Sequence, residues 1–189
     1  MGLISLLVGG AIDANRAIKE NKAKNDDGVQ TVKVKNLYSI DVPSFLSPTT
    51  RLSEDASLQY WNKTLDISMQ IVDESKSEFI ESLEELKESI PSLSEGSLVD
   101  NLATISLSNV FDMDKVELGN YTETEINGLK AVTVNAFQSR TFFKDAVYGS
   151  FAFIEGKETL YQIMILSGGT SIRKLADKLE LSINSFKEL

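Results

Sequence analysis

Residues 147–166 read VYGSFAFIEGKETLYQIMIL. Successive side chains of a strand point to opposite faces. In the segment from Val147 to Ile154, Phe151 and Phe153 therefore oppose Ala152 and Ile154. In the segment from Leu160 to Leu166, Tyr161, Ile163 and Ile165 oppose Leu160, Met164 and Leu166. Strands that are apolar on both faces belong in the middle of a sheet, with something covering each side.

The neighbouring sequence supplies the cover. Ile172, Leu175, Ala176, Leu179, Ile183 and Phe186 repeat at helical spacing and predict one terminal helix. Before the central pair, Val116–Ile126 and Leu129–Gln138 are joined by Asn127 and Gly128, a strong hairpin signal. Earlier still, Phe79, Ile80, Leu83, Leu86 and Ile90 form a stripe on a helix opened by a Ser75 and Glu78 capping box and ended by Pro91. Ser97 and Asp100 open a second helix, with Leu98, Leu102 and Ile105 on one side. Leu58 and Tyr60 share a face of one strand, and Leu65, Ile67, Met69 and Ile71 share a face of the next, with Asn62 and Lys63 in the turn between. Val32 to Pro43 alternates with a phase change at Asn36 and Leu37, which predicts one bulged or broken strand. Short hairpin connections and helices placed between strand groups give an α+β chain: a mainly antiparallel sheet flanked by helices on both faces, an α/β/α sandwich.

Three stretches in this order carry a resemblance. They are Tyr38 to Pro43 (YSIDVP), the Leu58 to Asp73 hairpin with the Ser75 to Ile90 helix, and the Phe151 to Phe186 strand pair with its helix. Together they resemble the PsbP/DcrB-like superfamily, which includes Ran-binding Mog proteins and bacterial Eag effector chaperones. The resemblance spans roughly residues 30 to 187. It implies accessory or binding proteins on an α/β/α sandwich and assigns no functional residue.

Composition narrows the function. With 42% hydrophobic and 25% charged residues the chain of 189 is ordinary globular material. A net charge of −9 repels polyphosphate, so nucleic acid is not an expected partner. Cysteine and histidine are both absent. Thiolate chemistry, disulfides and the commonest general base and metal ligand are thereby excluded. Any enzyme here would rely on carboxylate, lysine, tyrosine or serine groups, and no catalytic residue or cofactor is expected.

The amino-terminal 28 residues read as an appendage to a domain of residues 29–189. Leu3 to Ile12 is an apolar run of about ten residues, half of what a bilayer requires. Its tip, including Leu3 and Leu7, is expected to dock on the domain, to meet a partner protein or to touch a membrane surface peripherally. Without a basic residue ahead of this run, cytoplasmic residence is the expectation, with export through a weak signal as the alternative. Residues 13–25 read as a solvated helix, broken by Asp26, Asp27 and Gly28.

Two features suggest binding. Ser167 to Ser171 (SGGTS) joins a strand to a helix, so Gly168, Gly169 and Thr170 with Arg173 and Lys174 form a candidate anion site, set against a plain turn with Thr170 as N-cap. Trp61, the sole tryptophan, points away from the Leu58 and Tyr60 face and is a candidate partner anchor, set against packing under the appendage or a helix. Asp112, Asp114 and Glu117 gather carboxylates without the glycine and terminal glutamate of a calcium loop. The sequence thus points to a non-catalytic accessory or binding protein of bacterial type, a chaperone or adaptor for an apolar segment of a partner protein. A small-anion or divalent-metal binder is the alternative, and a hydrolase comes third.

Overall fold

The computed structural model describes residues 16–87, 93, 96–139, 146–168 and 171–189. Residues 16–25 form helix α1. The strands are β1 (Val29–Val34), β2 (Tyr38–Pro43), β3 (Ser47–Pro48), β4 (Ala56–Asn62), β5 (Ile67–Ser75), β6 (Val116–Ile126), β7 (Leu129–Gln138), β8 (Val147–Glu155), β9 (Thr159–Ser167) and β10 (Lys187–Glu188). The other helices are α2 (Lys76–Lys87), α3 (Leu98–Val110), α4 (Ser171–Lys174) and α5 (Ala176–Asn184).

Seven strands make one sheet in the order β3-β4-β5-β9-β8-β7-β6. Every pairing in it is antiparallel. β8 and β9 lie in the interior of this sheet, as their two apolar faces require. Phe151, Phe153, Leu160 and Met164 face α2 and α3, where Phe79, Leu83, Leu102 and Leu107 meet them. Ala152, Ile154, Tyr161, Ile163 and Ile165 face the opposite layer, built from α1, α5 and a small sheet in the order β1-β2-β10. Tyr38, Tyr161 and Phe186 pack ring against ring there, with centroids 4.9–5.6 Å apart. The chain is therefore α+β, with helices on both faces of an antiparallel sheet.

Several local signals act as read. Ser97 accepts from the Asp100 N–H while the Asp100 carboxylate accepts from the Ser97 N–H, closing a capping box. Asn127 and Gly128 take φ of 50° and 82° in the β6–β7 hairpin, the left-handed backbone its two-residue turn needs. In the β4–β5 turn the Asn62 side chain accepts from the N–H groups of Thr64 and Leu65, at 3.1 and 3.0 Å.

Three expectations change. Val32 to Pro43 is no single strand: the chain reverses at Lys35, whose φ is 48°, and β1 lies antiparallel on β2 with Val34 opposite Tyr38. The phase change at Asn36 and Leu37 marks a turn. The stripe on α2 is narrower than read, because Phe79 and Leu83 are buried while Ile80 and Leu86 face solvent; Ile90 and Pro91 lie outside the described residues. The terminal helix is two, since Leu175 leaves helical geometry between α4 and α5. Ile172, Leu175, Leu179, Ile183 and Phe186 enter the core, and Ala176 stays exposed.

α1 is held onto the domain mainly by polar contacts. Ala23 is buried in the α5-side core. Glu20, buried beside it, takes Lys174 at 2.5 Å and Arg16 at 3.4 Å. The Arg16 guanidinium donates to the Leu65 carbonyl and the Lys19 ammonium to Thr64 Oγ1. Lys178 on α5 donates to the Asp26 carbonyl and pairs with Asp27.

Candidate functional site

The α5 face of the sheet changes character along its strands. On β7 and β8 the positions under α5 run Ala131 and Ile154, then Thr133 and Ala152, then Asn135 and Ser150. The buried apolar floor thus gives way to polar side chains that water can reach. β6 continues the trend with Thr122 and Thr124, both exposed. Two hollows follow, of about 380 and 480 Å³, and they share Asn135, Ser150 and Ala176, which makes them one groove between α4–α5 and the β6–β8 end of the sheet.

Its two ends differ chemically. At one end Phe137 and Tyr148 stack with centroids 4.4 Å apart. The Arg173 guanidinium lies over Tyr148 at 4.6 Å from the ring centre and 6.0 Å from that of Phe137. Among the described residues that cation takes part in no hydrogen bond or ion pair, and it lines the groove. At the other end the lining is Asn120, Thr122, Thr124 and Asn184 with the Glu180 carboxylate. Ser150 Oγ donates to Asn135 Oδ1 at 2.7 Å on the floor between them. Hydrogen-bonding groups of fixed orientation beside a half-buried aromatic pair can hold an extended ligand.

The residues singled out from sequence are dispersed. Arg173 lines the groove, but the Lys174 ammonium turns to Glu20 instead of the preceding turn. Gly168 abuts the Asp66 carboxylate so closely that a Cβ there would stand 2.2 Å from Oδ2. An anion at that turn would therefore meet a carboxylate. Gly169, Thr170, Leu3 and Leu7 lie outside the described residues. Trp61 is partly buried on β4, opposite Ser47 of β3 and beside the Thr49–Arg51 loop. The Asp112 carboxylate pairs with Lys115, whose own pKa is raised by that hydrogen bond and charge. Among the described residues no three carboxylates gather as a metal site. No helix among them is long and apolar enough to cross a membrane.

The groove itself escaped the sequence reading. Its signal was present in Thr133, Asn135 and Ser150, polar residues that continue the face on which Ala131 and Ala152 are core.

This chain, an antiparallel seven-stranded sheet with a helix pair on one face and a terminal helix with a small sheet on the other, has an α+β fold of the PsbP-like and Mog1 kind. No family's sequence signature matches the chain, and no curated protein does. Solved structures match it. Cyanobacterial PsbP (CyanoP) from Synechocystis is 10% identical over 85% of this chain and 92% of its own, with a TM-score of 0.51. The Saccharomyces cerevisiae Ran-binding protein Mog1p is 14% identical over 85% and 95%, with a TM-score of 0.51. LpqN of Mycobacterium tuberculosis, involved in cell envelope biogenesis, is 8% identical over 86% and 92%, at 0.50. Likeness at such identities is likeness of fold.

Proposed function

We propose that the chain is a non-catalytic binding protein that holds an extended segment of a partner protein in the groove between α5 and the β6–β8 strands. The observation that carries the reading is the groove's division into an aromatic end, Phe137 and Tyr148, and a polar end of threonine and asparagine. The first suits an apolar side chain of the segment. The second suits its backbone N–H and C=O groups, which need partners once water leaves. The absence of histidine and cysteine from the sequence favours binding over catalysis. Mog1p, a Ran-binding protein, gives this fold a precedent for holding a protein. Cytoplasmic residence belongs to the same reading, and cell fractionation checks it.

Ala176 is exposed and shared by both hollows, so Ala176→Trp fills the groove without touching the core. Affinity capture from the source cells with the intact protein and with Ala176→Trp is the test. A partner retained by the first and lost by the second supports the reading. Identical capture by both, with the variant's fold unchanged, removes it.

The Arg173 guanidinium favours a second reading, a small anion held at the aromatic end. Phosphate at 100 times its dissociation constant would then raise stability by about 2.7 kcal/mol, which Arg173→Ala abolishes. A melting point indifferent to phosphate disposes of it.

A further inference from the structure

The large sheet ends differently on its two sides. β3 at one edge is two residues long, whereas β6 at the other spans 11 residues, more than any other described strand. Residues 117–125 of β6 are all exposed. β7 is its only strand neighbour among the described residues, and outside that ladder the backbone of 117–126 makes no hydrogen bond among them. Along such an edge alternate residues present N–H and C=O groups outward, a template for another strand.

Natural proteins guard long edges, most often with lysine, and sometimes with a bulge. β6 has a register shift between Leu118 and Tyr121. Its charges are Glu117, Glu123 and Glu125, with no lysine or arginine. A guard of one sign is selective. Two β6 strands paired antiparallel about Tyr121 would set Glu117 against Glu125, and like charges directly opposite destabilise a pair, so a second copy is repelled. A basic strand meets carboxylates at both ends of the edge, Glu117 at one and Glu123 and Glu125 at the other, where Lys130 of β7 stands opposite Glu125. Glu180 of α5, across the groove from Thr122 and Thr124, adds another carboxylate, while Arg173 lines the aromatic end together with Glu117.

We infer that β6 takes a lysine- or arginine-rich extended segment of a partner protein as an additional strand of the large sheet. The inference rests on the binding role proposed above and names the chemistry of the partner. Alternate side chains of the added strand lie beside Thr122 and Thr124 at the groove and reach Glu117 and Glu180; the others lie beside Glu123 and Glu125.

The probe is a capped peptide of alternating lysine and valine, about ten residues long to match an ordinary strand. Two companions serve as controls: alternating glutamate and valine, and the lysine–valine peptide with every backbone nitrogen methylated, which keeps the charge but has no N–H to give a ladder. Amide hydrogen exchange of the whole protein is the readout. The lysine–valine peptide should slow exchange within residues 116–126 at least tenfold, neither control should do so, and added salt should weaken the effect. Glu117→Gln, Glu123→Gln and Glu125→Gln together should remove the protection, with the unliganded exchange pattern elsewhere reporting that the variant is folded. Equal protection by the N-methylated peptide, or protection that survives the triple variant, overturns the edge. Protection confined to α5 and β8 overturns the edge and leaves the groove standing. Protection of β6 together with unchanged capture by Ala176→Trp leaves the edge standing and removes the groove.

Discussion

A carboxylate as buried as that of Glu20 needs cations to offset its lost hydration, and Lys174 and Arg16 supply them. Both cations keep access to water, so losing the carboxylate frees them instead of stranding them. Glu20→Gln should therefore cost about 1–2 kcal/mol, less than breaking a fully buried pair, read as a lower urea midpoint with the slope unchanged. The same ion pair explains one limit of the sequence reading. Arg173 and Lys174 are adjacent in the chain and were read as one basic pair, yet neighbours on a helix point about 100° apart. One therefore reaches the groove and the other reaches α1, a partner that no local window contains. The tyrosines give a prediction in pH. Burial pushes the Tyr161 hydroxyl up to about 12 and raises Tyr38; on solvent-facing Tyr121 local desolvation of the hydroxyl, which donates to the Asp100 carboxylate, also raises it. Because the folded values lie above the unfolded one near 10, this stability is complete below about pH 10 and falls as the pH rises toward 12. Alkaline titration followed by tyrosinate absorbance should show the buried Tyr38 and Tyr161 ionising together with loss of fold. Smooth ionisation of every tyrosine in an intact fold would contradict that.

The β6–β7 hairpin shows how one turn serves two elements. The Asn127 amide donates to the carbonyls of Asn184 and Phe186, at 3.1 and 2.6 Å, and so caps the end of α5 as well as turning the chain. Asn127→Asp keeps the turn preference but sets a carboxylate against two carbonyls. It should cost about 2 kcal/mol, roughly two hydrogen bonds, with a lower melting temperature, whereas Asn127→Gly should cost less. Elements of this kind were legible because their rules are local. The Asn-Gly turn, the Ser97–Asp100 box and the double-faced alternation of β8 and β9 each specify themselves within a dozen residues. The reversal at Lys35 was not, because a residue at φ 48° outside glycine or asparagine gives no composition signal. The exposure of Ile80 and Leu86 was also hidden, since periodicity shows which residues align but not how wide a face the sheet covers. Site residues were the least legible, because a groove is made where α5 departs from strands more than twenty residues away in sequence.

At the scale of the molecule the carboxyl terminus is structural. Phe186 is fully buried between Tyr38 and Tyr161, and β10 pairs with β2. Phe186→Ala should cost about 3–5 kcal/mol, a large share of the 5–15 kcal/mol by which domains are usually stable, and leave the chain partly unfolded at ordinary temperature. Circular dichroism melting of that variant beside the parent checks it. The sheet order has a temporal consequence as well. β5 has β4 on one side, but its other neighbour is β9, and the hydrogen bond from Ser68 to Leu166 joins residues 98 apart. During synthesis the hairpin leaves the ribosome before β9 and must keep the flank bearing Met69 and Ile71 from sticking to other nascent chains until β9 emerges. Acquisition of the native state should accordingly be slow for a chain of this size, and overexpression should favour aggregates seeded by the waiting β4–β5 hairpin.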